Sequence, residues 1–168
     1  MKIIDNFLPD YHFKQIESIF LEDTFPWYWN ETIVYPYEDG YDPKDYQFTH
    51  VLFDKRSGGQ ESNYYPILRD TVMRFLGVNE CYRIKMNLNP RTLFNKSGGW
   101  HLDFEDKPEI KNTAVYYLNT CNGYTKFKKG GKVKSVANRM VIFDSKLIHQ
   151  GYTCTDQKRR VVMNFNWI

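Results

Sequence analysis

The sequence predicts a mostly β fold with helices near its N-terminus and a sheet folded over a sheet around a polar pocket. Three stretches carry this reading. Tyr82, Ile84, Met86 and Leu88 alternate with Arg83, Lys85 and Asn87. Ala114, Tyr116 and Leu118 alternate with Thr113, Val115, Tyr117 and Asn119. Val161, Met163, Phe165 and Trp167 alternate with Arg160, Val162, Asn164 and Asn166. A period of two marks strands with unlike faces. One face of each is apolar and suits helices packed behind it. The other is mixed and needs either water or a second sheet that closes a polar pocket; the pocket is favoured.

The helices come first in the chain. After Pro9, Asp10 is placed to cap a helix whose Phe13, Ile16, Phe20 and Leu21 recur at helical spacing. A second helix is predicted from near Pro66, with Ile67, Leu68, Val72, Phe75 and Leu76 on one face and Gly77 at its C-terminal cap. Residues 35–50, rich in Tyr, Asp, Pro and Gly, read as an irregular surface segment. Residues 124–127 and 132–136 flank KKGG as a hairpin, and 140–143 read as a short buried strand.

The 168 residues suit one domain, with 1–80 a helical support region and 81–168 the β core. Thirteen Tyr, twelve Phe and four Trp give that core large side chains to bury. No apolar run approaches the roughly 20 residues of a membrane span, and the apolar stretch in MKIIDNFLPD is too short for a secretion signal. Cys81, Cys121 and Cys154 are odd in number and lack metal-type spacing, which argues against a disulfide framework and for a reducing cytoplasm. A net charge of +3 is too weak to imply nucleic acid.

The chemistry centres on Trp100-His101-Leu102-Asp103. On a strand, His101 and Asp103 point the same way, with Leu102 and Phe104 on the other face. A third ligand must come from elsewhere. His12 falls on the first helix and His50 in the irregular segment, whereas His149 follows the strand at 140–143 and precedes Gly151. Two His and one carboxylate leave three metal positions open, as in the facial triad of non-haem iron sites. Tetrahedral zinc is the alternative, but it leaves Arg160 without a task.

These residues carry a resemblance. WHLD, TAVYYLN, NGYTKF, ANRMVIFDSKLIH and RRVVMNFNW resemble the double-stranded β-helix core, jelly-roll and cupin-like, of the 2-oxoglutarate and iron(II)-dependent oxygenases. The chain is most similar to their prolyl-hydroxylase-like branch. With FLPD and FPWYW at the N-terminal end, the likeness extends to small members encoded by phages of marine bacteria and covers nearly the whole chain. It implies Fe(II) held by His101, Asp103 and His149, with 2-oxoglutarate as cosubstrate, ascorbate as the reductant in vitro, and a host cytoplasm if phage-encoded. NPRTLFNKSGG replaces the usual tyrosine-bearing segment before the HxD pair, so the substrate wall differs from the branch pattern.

In this family a basic residue after the distal His binds the far carboxylate of 2-oxoglutarate. Among Lys158, Arg159 and Arg160, parity favours Arg160, which shares the mixed face with Val162, Asn164 and Asn166. A guanidinium fork also matches a carboxylate in bidentate fashion. Arg159 shares the apolar face and is expected to escape to solvent at the strand start. The resemblance gives Tyr117 the same carboxylate; a core tyrosine bonded to backbone is the alternative. Lys85 and Asn87 line the cofactor or substrate site, or else a solvated face. The expected activity is hydroxylation of a peptidyl (prolyl) or amino-acid side chain in a small-molecule or peptide substrate. An alkylated nucleic-acid demethylase, supported only by the lysines of the hairpin, and a non-catalytic jelly-roll binding protein are the rivals. Gly98-Gly99 is either a lid hinge or a turn, and residues 35–46 either cover the pocket mouth or form an ordinary loop.

Overall fold

Two antiparallel sheets, one broad and one narrow, face each other in the computed structural model, which describes residues 1–168 and every side chain except those of Gln60 and Glu61. In chain order the strands are β1 (Lys2–Ile4), β2 (Tyr28–Asn30), β3 (Gln47–Asp54), β4 (Gln60–Glu61), β5 (Arg83–Pro90), β6 (Asn112–Tyr117), β7 (Tyr124–Phe127), β8 (Lys132–Lys134), β9 (Arg139–Asp144), β10 (His149–Tyr152) and β11 (Arg159–Trp167). The broad sheet runs β1-β9-β6-β11-β5-β3-β2, with β4 paired to β3; the narrow sheet runs β10-β7-β8. The architecture is a double-stranded β-helix with helices on the outer face of the major sheet. Among the described residues no helix is long and apolar enough to cross a membrane.

The outer face of the broad sheet presents Ile84, Met86, Leu88, Ala114, Tyr116, Met140, Val161, Met163 and Phe165. Against it lie Phe13, Ile16 and Phe20 of α1 (Asp10–Phe20) and Leu68, Val72 and Met73 of the second helical stretch. Side chains at this burial each contribute about 1.5–3 kcal/mol of transfer free energy. The inner face is split. At one end Val115, Tyr117, Val141, Phe143 and Val162 meet Phe127 and Val133 of the narrow sheet. Along the rest, Lys85, Asn87, Arg160 and Asn164 line a cavity.

Four local expectations are corrected. Asp10 is the first helical residue, and no side chain caps α1. Its charge sits in the first turn, where the helix dipole favours it. The second helix is broken: α2 (Tyr65–Leu68) and α3 (Arg74–Leu76) flank a π-helical turn at 69–73. The extra residue rotates the buried face, so Thr71 and Met73 turn inward and Phe75 outward. Thr71 Oγ1 donates to the carbonyl of Ile67, a back-bond that bends helices. The segment 35–50 is not irregular throughout, since β3 begins at Gln47 and pairs with β5. The support region thus contributes strands as well as helices.

Asn138 ties the N-terminal segment to the sheet. It adopts φ 60°, accepts from Leu8 N at 2.9 Å and Tyr116 Oη at 2.7 Å, and donates to Leu8 O at 2.8 Å. Asn138→Ala should lose about 3 kcal/mol in urea unfolding, through unpaired buried groups and left-handed strain. Asn138→Gly relieves the strain alone and should recover about 1 kcal/mol of that.

Candidate active site

A backbone bridge brings the histidines together. His101 N donates to His149 O at 3.0 Å, and His149 N to His101 O at 3.1 Å. The WHLD stretch is therefore a single bridge and not a strand. Leu102, expected to turn away, lines the cavity, while Phe104 packs edge-on to Tyr82 and under Arg83.

Ligand atoms of His101, Asp103 and His149 lie within 4.8 Å of one another. His101 Nδ1 meets Gly99 O at 3.1 Å and His149 Nδ1 meets Leu147 O at 3.0 Å. A carbonyl only accepts, so Nδ1 of each ring donates to it and Nε2 is the nitrogen left to face a metal. Burial, reinforced by His149, pushes His101 down to about 4. Burial works against the Asp103 carboxylate, but Arg83, the two histidines and Asn166 outweigh it and hold the group at about 2. Two imidazoles and an ionised carboxylate are a donor set that suits a divalent metal.

Two residues that sequence reasoning missed hold Asp103. Asn166 Nδ2 donates to Asp103 Oδ2 at 2.7 Å and to Thr113 Oγ1 at 3.1 Å. Arg83 Nη2 lies 3.6 Å from Asp103 Oδ1. They are cross-strand partners on the mixed face, so parity held the signal; their pairing with a residue on a distant loop did not show in it.

The cavity, about 220 Å³, extends from this centre to Arg160. Arg160 is 2% exposed, with Nε donating to Ser135 Oγ at 2.9 Å and Nη2 to Thr125 Oγ1 at 3.0 Å. Among the described residues no carboxylate pairs with it, and burial lowers its pKa. Two glycines leave it room. A Cβ on Gly123 would stand 2.7 Å from Arg160 Cδ, and one on Gly151 3.4 Å from Nη1.

Asn87 and Lys85 line the same cavity. Tyr117 lies one layer back: it is fully buried and donates to Thr125 Oγ1 at 2.8 Å. Asn119 spans the strands instead, donating to Arg159 O and accepting from Val161 N. Arg159 does not escape to solvent, because Nη2 donates to the carbonyl of Leu21 at the end of α1. His50 bonds Pro26 O and Ser62 Oγ, and His12 packs between Tyr11 and Phe75. Ile33, Val34, Tyr35 and Glu38 cover the cavity. The cover is seated on Gly98 and Gly99, where a Cβ would come within 2.8 Å of Ile33 and 2.6 Å of Val34.

Removing the support for Asp103 should loosen the centre without removing a donor atom. Asn166→Ala should weaken Mn(II) binding by roughly 10–100-fold in calorimetry, with all three candidate ligands intact.

Comparison with known proteins follows the same lines. Residues 90–168 match the model of the 2OG-Fe(II) oxygenase superfamily. No curated protein sequence matches the chain. Among solved structures, an oxidoreductase of the 2OG-Fe(II) oxygenase family from Burkholderia pseudomallei is similar, with TM-score 0.66, 12% identity, and coverage of 98% of this chain and 84% of that one. A Trichoplax adhaerens prolyl hydroxylase, in complex with a hypoxia inducible factor oxygen degradation domain peptide fragment, has TM-score 0.64, 14% identity, and coverage of 99% and 82%. A Pseudomonas putida prolyl-4-hydroxylase has TM-score 0.59, 16% identity, and coverage of 99% and 91%. Residues 90–168, which hold both histidines, the aspartate and the arginine of the cavity, are thus the part of the chain that is similar to the 2OG-Fe(II) oxygenase superfamily.

Proposed function

We propose that this chain, as a single domain, is an Fe(II)- and 2-oxoglutarate-dependent hydroxylase. His101, Asp103 and His149 hold the iron, and Arg160 holds the far carboxylate of 2-oxoglutarate. The observation that carries the reading is Arg160 itself. A buried guanidinium without a counter-ion is costly, and it shares one cavity with a three-donor metal site. A dicarboxylate bound to the metal at one end supplies the missing anion at the other.

Bound iron and cosubstrate supply oxidation of a substrate C–H bond by O2, with succinate and CO2 as co-products. The protein does the rest. The Nδ1 bonds orient both imidazoles, while Asn166 and Arg83 fix the carboxylate. Thr125 links the hydroxyl of Tyr117 to Arg160, and the guanidinium also lies 5.5 Å from the centre of the Tyr117 ring, so both residues set the fork toward the cosubstrate. Asn87 forms part of the wall of the same cavity. The segment carrying Ile33, Val34 and Tyr35 limits access of water. Prolyl hydroxylases among the similar structures, one with a peptide bound, support hydroxylation of a peptide or small molecule. Three unpaired cysteines, all buried, suit a reducing cytoplasm.

Anaerobic titration of the Mn(II) protein with 2-oxoglutarate tests the assignment. Arg160→Ala should raise the dissociation constant roughly 30-fold or more, because truncating a buried charge pair costs about 2–5 kcal/mol. Arg159→Ala should change it by about threefold at most and instead cost about 1 kcal/mol of stability through the lost bond to Leu21. Equal effects of the two variants would remove Arg160 from the cosubstrate site. With Fe(II), ascorbate and O2, wild type should release succinate slowly without substrate, and Ala at His101, Asp103 or His149 should abolish that release.

A further inference from the structure

The cationic side chains of the cavity are paired, with two exceptions. Arg83 faces Asp103 at 3.6 Å, and Lys96 reaches Asp42 and Asp45. Arg160 has hydroxyl partners and no carboxylate. Lys85 has neither an ion pair nor a hydrogen bond among the described residues, although it lines the cavity. Lys85 pairs with Asn164 across the sheet, whereas Arg160 pairs with Asn89. Their strand positions differ by four residues, about 13 Å at the backbone. The two cations therefore serve different ends of the cavity, Arg160 beside Thr125 and Lys85 on the side of Arg83 and Asp103.

The neighbours of Lys85 are unsatisfied too. Asn164, opposite it, is 9% exposed, and its Oδ1 accepts no hydrogen bond. Asn87, two residues along β5, also has a buried Oδ1 without a donor. A buried acceptor left open costs about 1–3 kcal/mol, so one cation and two amides side by side mark a place built for a polar guest. The ammonium needs an anion, and each amide needs a donor N–H or O–H close by. A proline ring offers neither; the backbone N–H groups of a flanking peptide could reach the amides but would leave the ammonium without an anion.

We propose that the substrate is a small free carboxylic acid with an adjacent amino or hydroxyl group, its carboxylate held by Lys85 and its donor by Asn164 or Asn87. This rests on the hydroxylase reading and names the substrate class for the same cavity. Burial, and then repulsion from Arg83, push Lys85 down to about 8, and a bound carboxylate would restore it. Tyr35 and Glu38 at the cover and Leu102 beside the metal ligands leave the remainder of the acid a partly apolar wall.

The test uses the full chain loaded with Fe(II) and 2-oxoglutarate. Each free proteinogenic amino acid, and each corresponding 2-hydroxy acid, is assayed for succinate release above the uncoupled rate. At least one should accelerate release about tenfold, and its N-acetyl amide should not. Lys85→Ala should raise the half-saturating concentration of that acid roughly 30-fold or more. In the Mn(II) form the same variant should bind 2-oxoglutarate within about threefold of wild type, which also shows that it is folded. Lys85→Arg should recover part of the loss. Stimulation by a blocked prolyl peptide alone, or by none of the acids, overturns the proposal. So does an equal loss of 2-oxoglutarate affinity in Lys85→Ala, which would give the lysine to the cosubstrate. Wild type that binds no 2-oxoglutarate at all would bring down the hydroxylase reading itself, a separate and recognisable result.

Discussion

The register of β11 between β5 and β6 is the constraint on which the site depends. In antiparallel pairing, a slip of one residue sends every side chain of a strand to the opposite face. Val161, Met163 and Phe165 are bound to the helical layer by their burial, and this leaves Arg160, Val162, Asn164 and Asn166 no choice but the inner face. The same ladder sets Arg160 opposite Asn89, Asn164 opposite Lys85 and Asn166 opposite Arg83. Hydrophobic packing on one side of the strand thus determines the electrostatics on the other.

That coupling explains what the sequence made legible. Period-two alternation in β5, β6 and β11 is long enough to separate the two faces, so the positions of Arg160, Lys85 and Asn87 could be read without any structure. Tyr117 shares their parity, yet the narrow sheet covers it; parity gives the face of a sheet and not the depth beneath its partner. Other features were illegible for a physical reason. The π-helical turn at 69–73 arises where packing and the Thr71 back-bond override a sound helical pattern. In β3 a register shift between Val51 and Phe53 breaks the alternation, which hid a strand in a segment rich in turn-forming residues. The grip of Asn166 and Arg83 on Asp103 joins residues 63 positions apart in one case and depends on where the 91–104 loop returns.

The cavity is also uneven in charge. Near the candidate metal centre, Arg83 and Asp103 nearly cancel, and the two histidines complete the donor set. Farther along each way, an unpaired cation waits at Arg160 and at Lys85. Buried charge of this kind weakens the empty fold, because neither cation recovers its hydration. Bound anions relieve it, so ligand binding and stability are linked in the same cavity.

The contact between the cover and Gly98-Gly99 has a consequence for how this scaffold could diversify. Gly99 adopts φ +88° and has Val34 pressed where a side chain would begin. The roof of the cavity therefore rests on bare main chain, and its height is set by the absence of two methyl groups. A single added carbon at Gly98 would wedge the roof upward against Ile33, whereas at Gly99 it would also strain the backbone whose carbonyl orients His101. Through Gly98, chamber size and metal chemistry are in this way separately adjustable, and the guests admitted could change without altering the reaction performed on them.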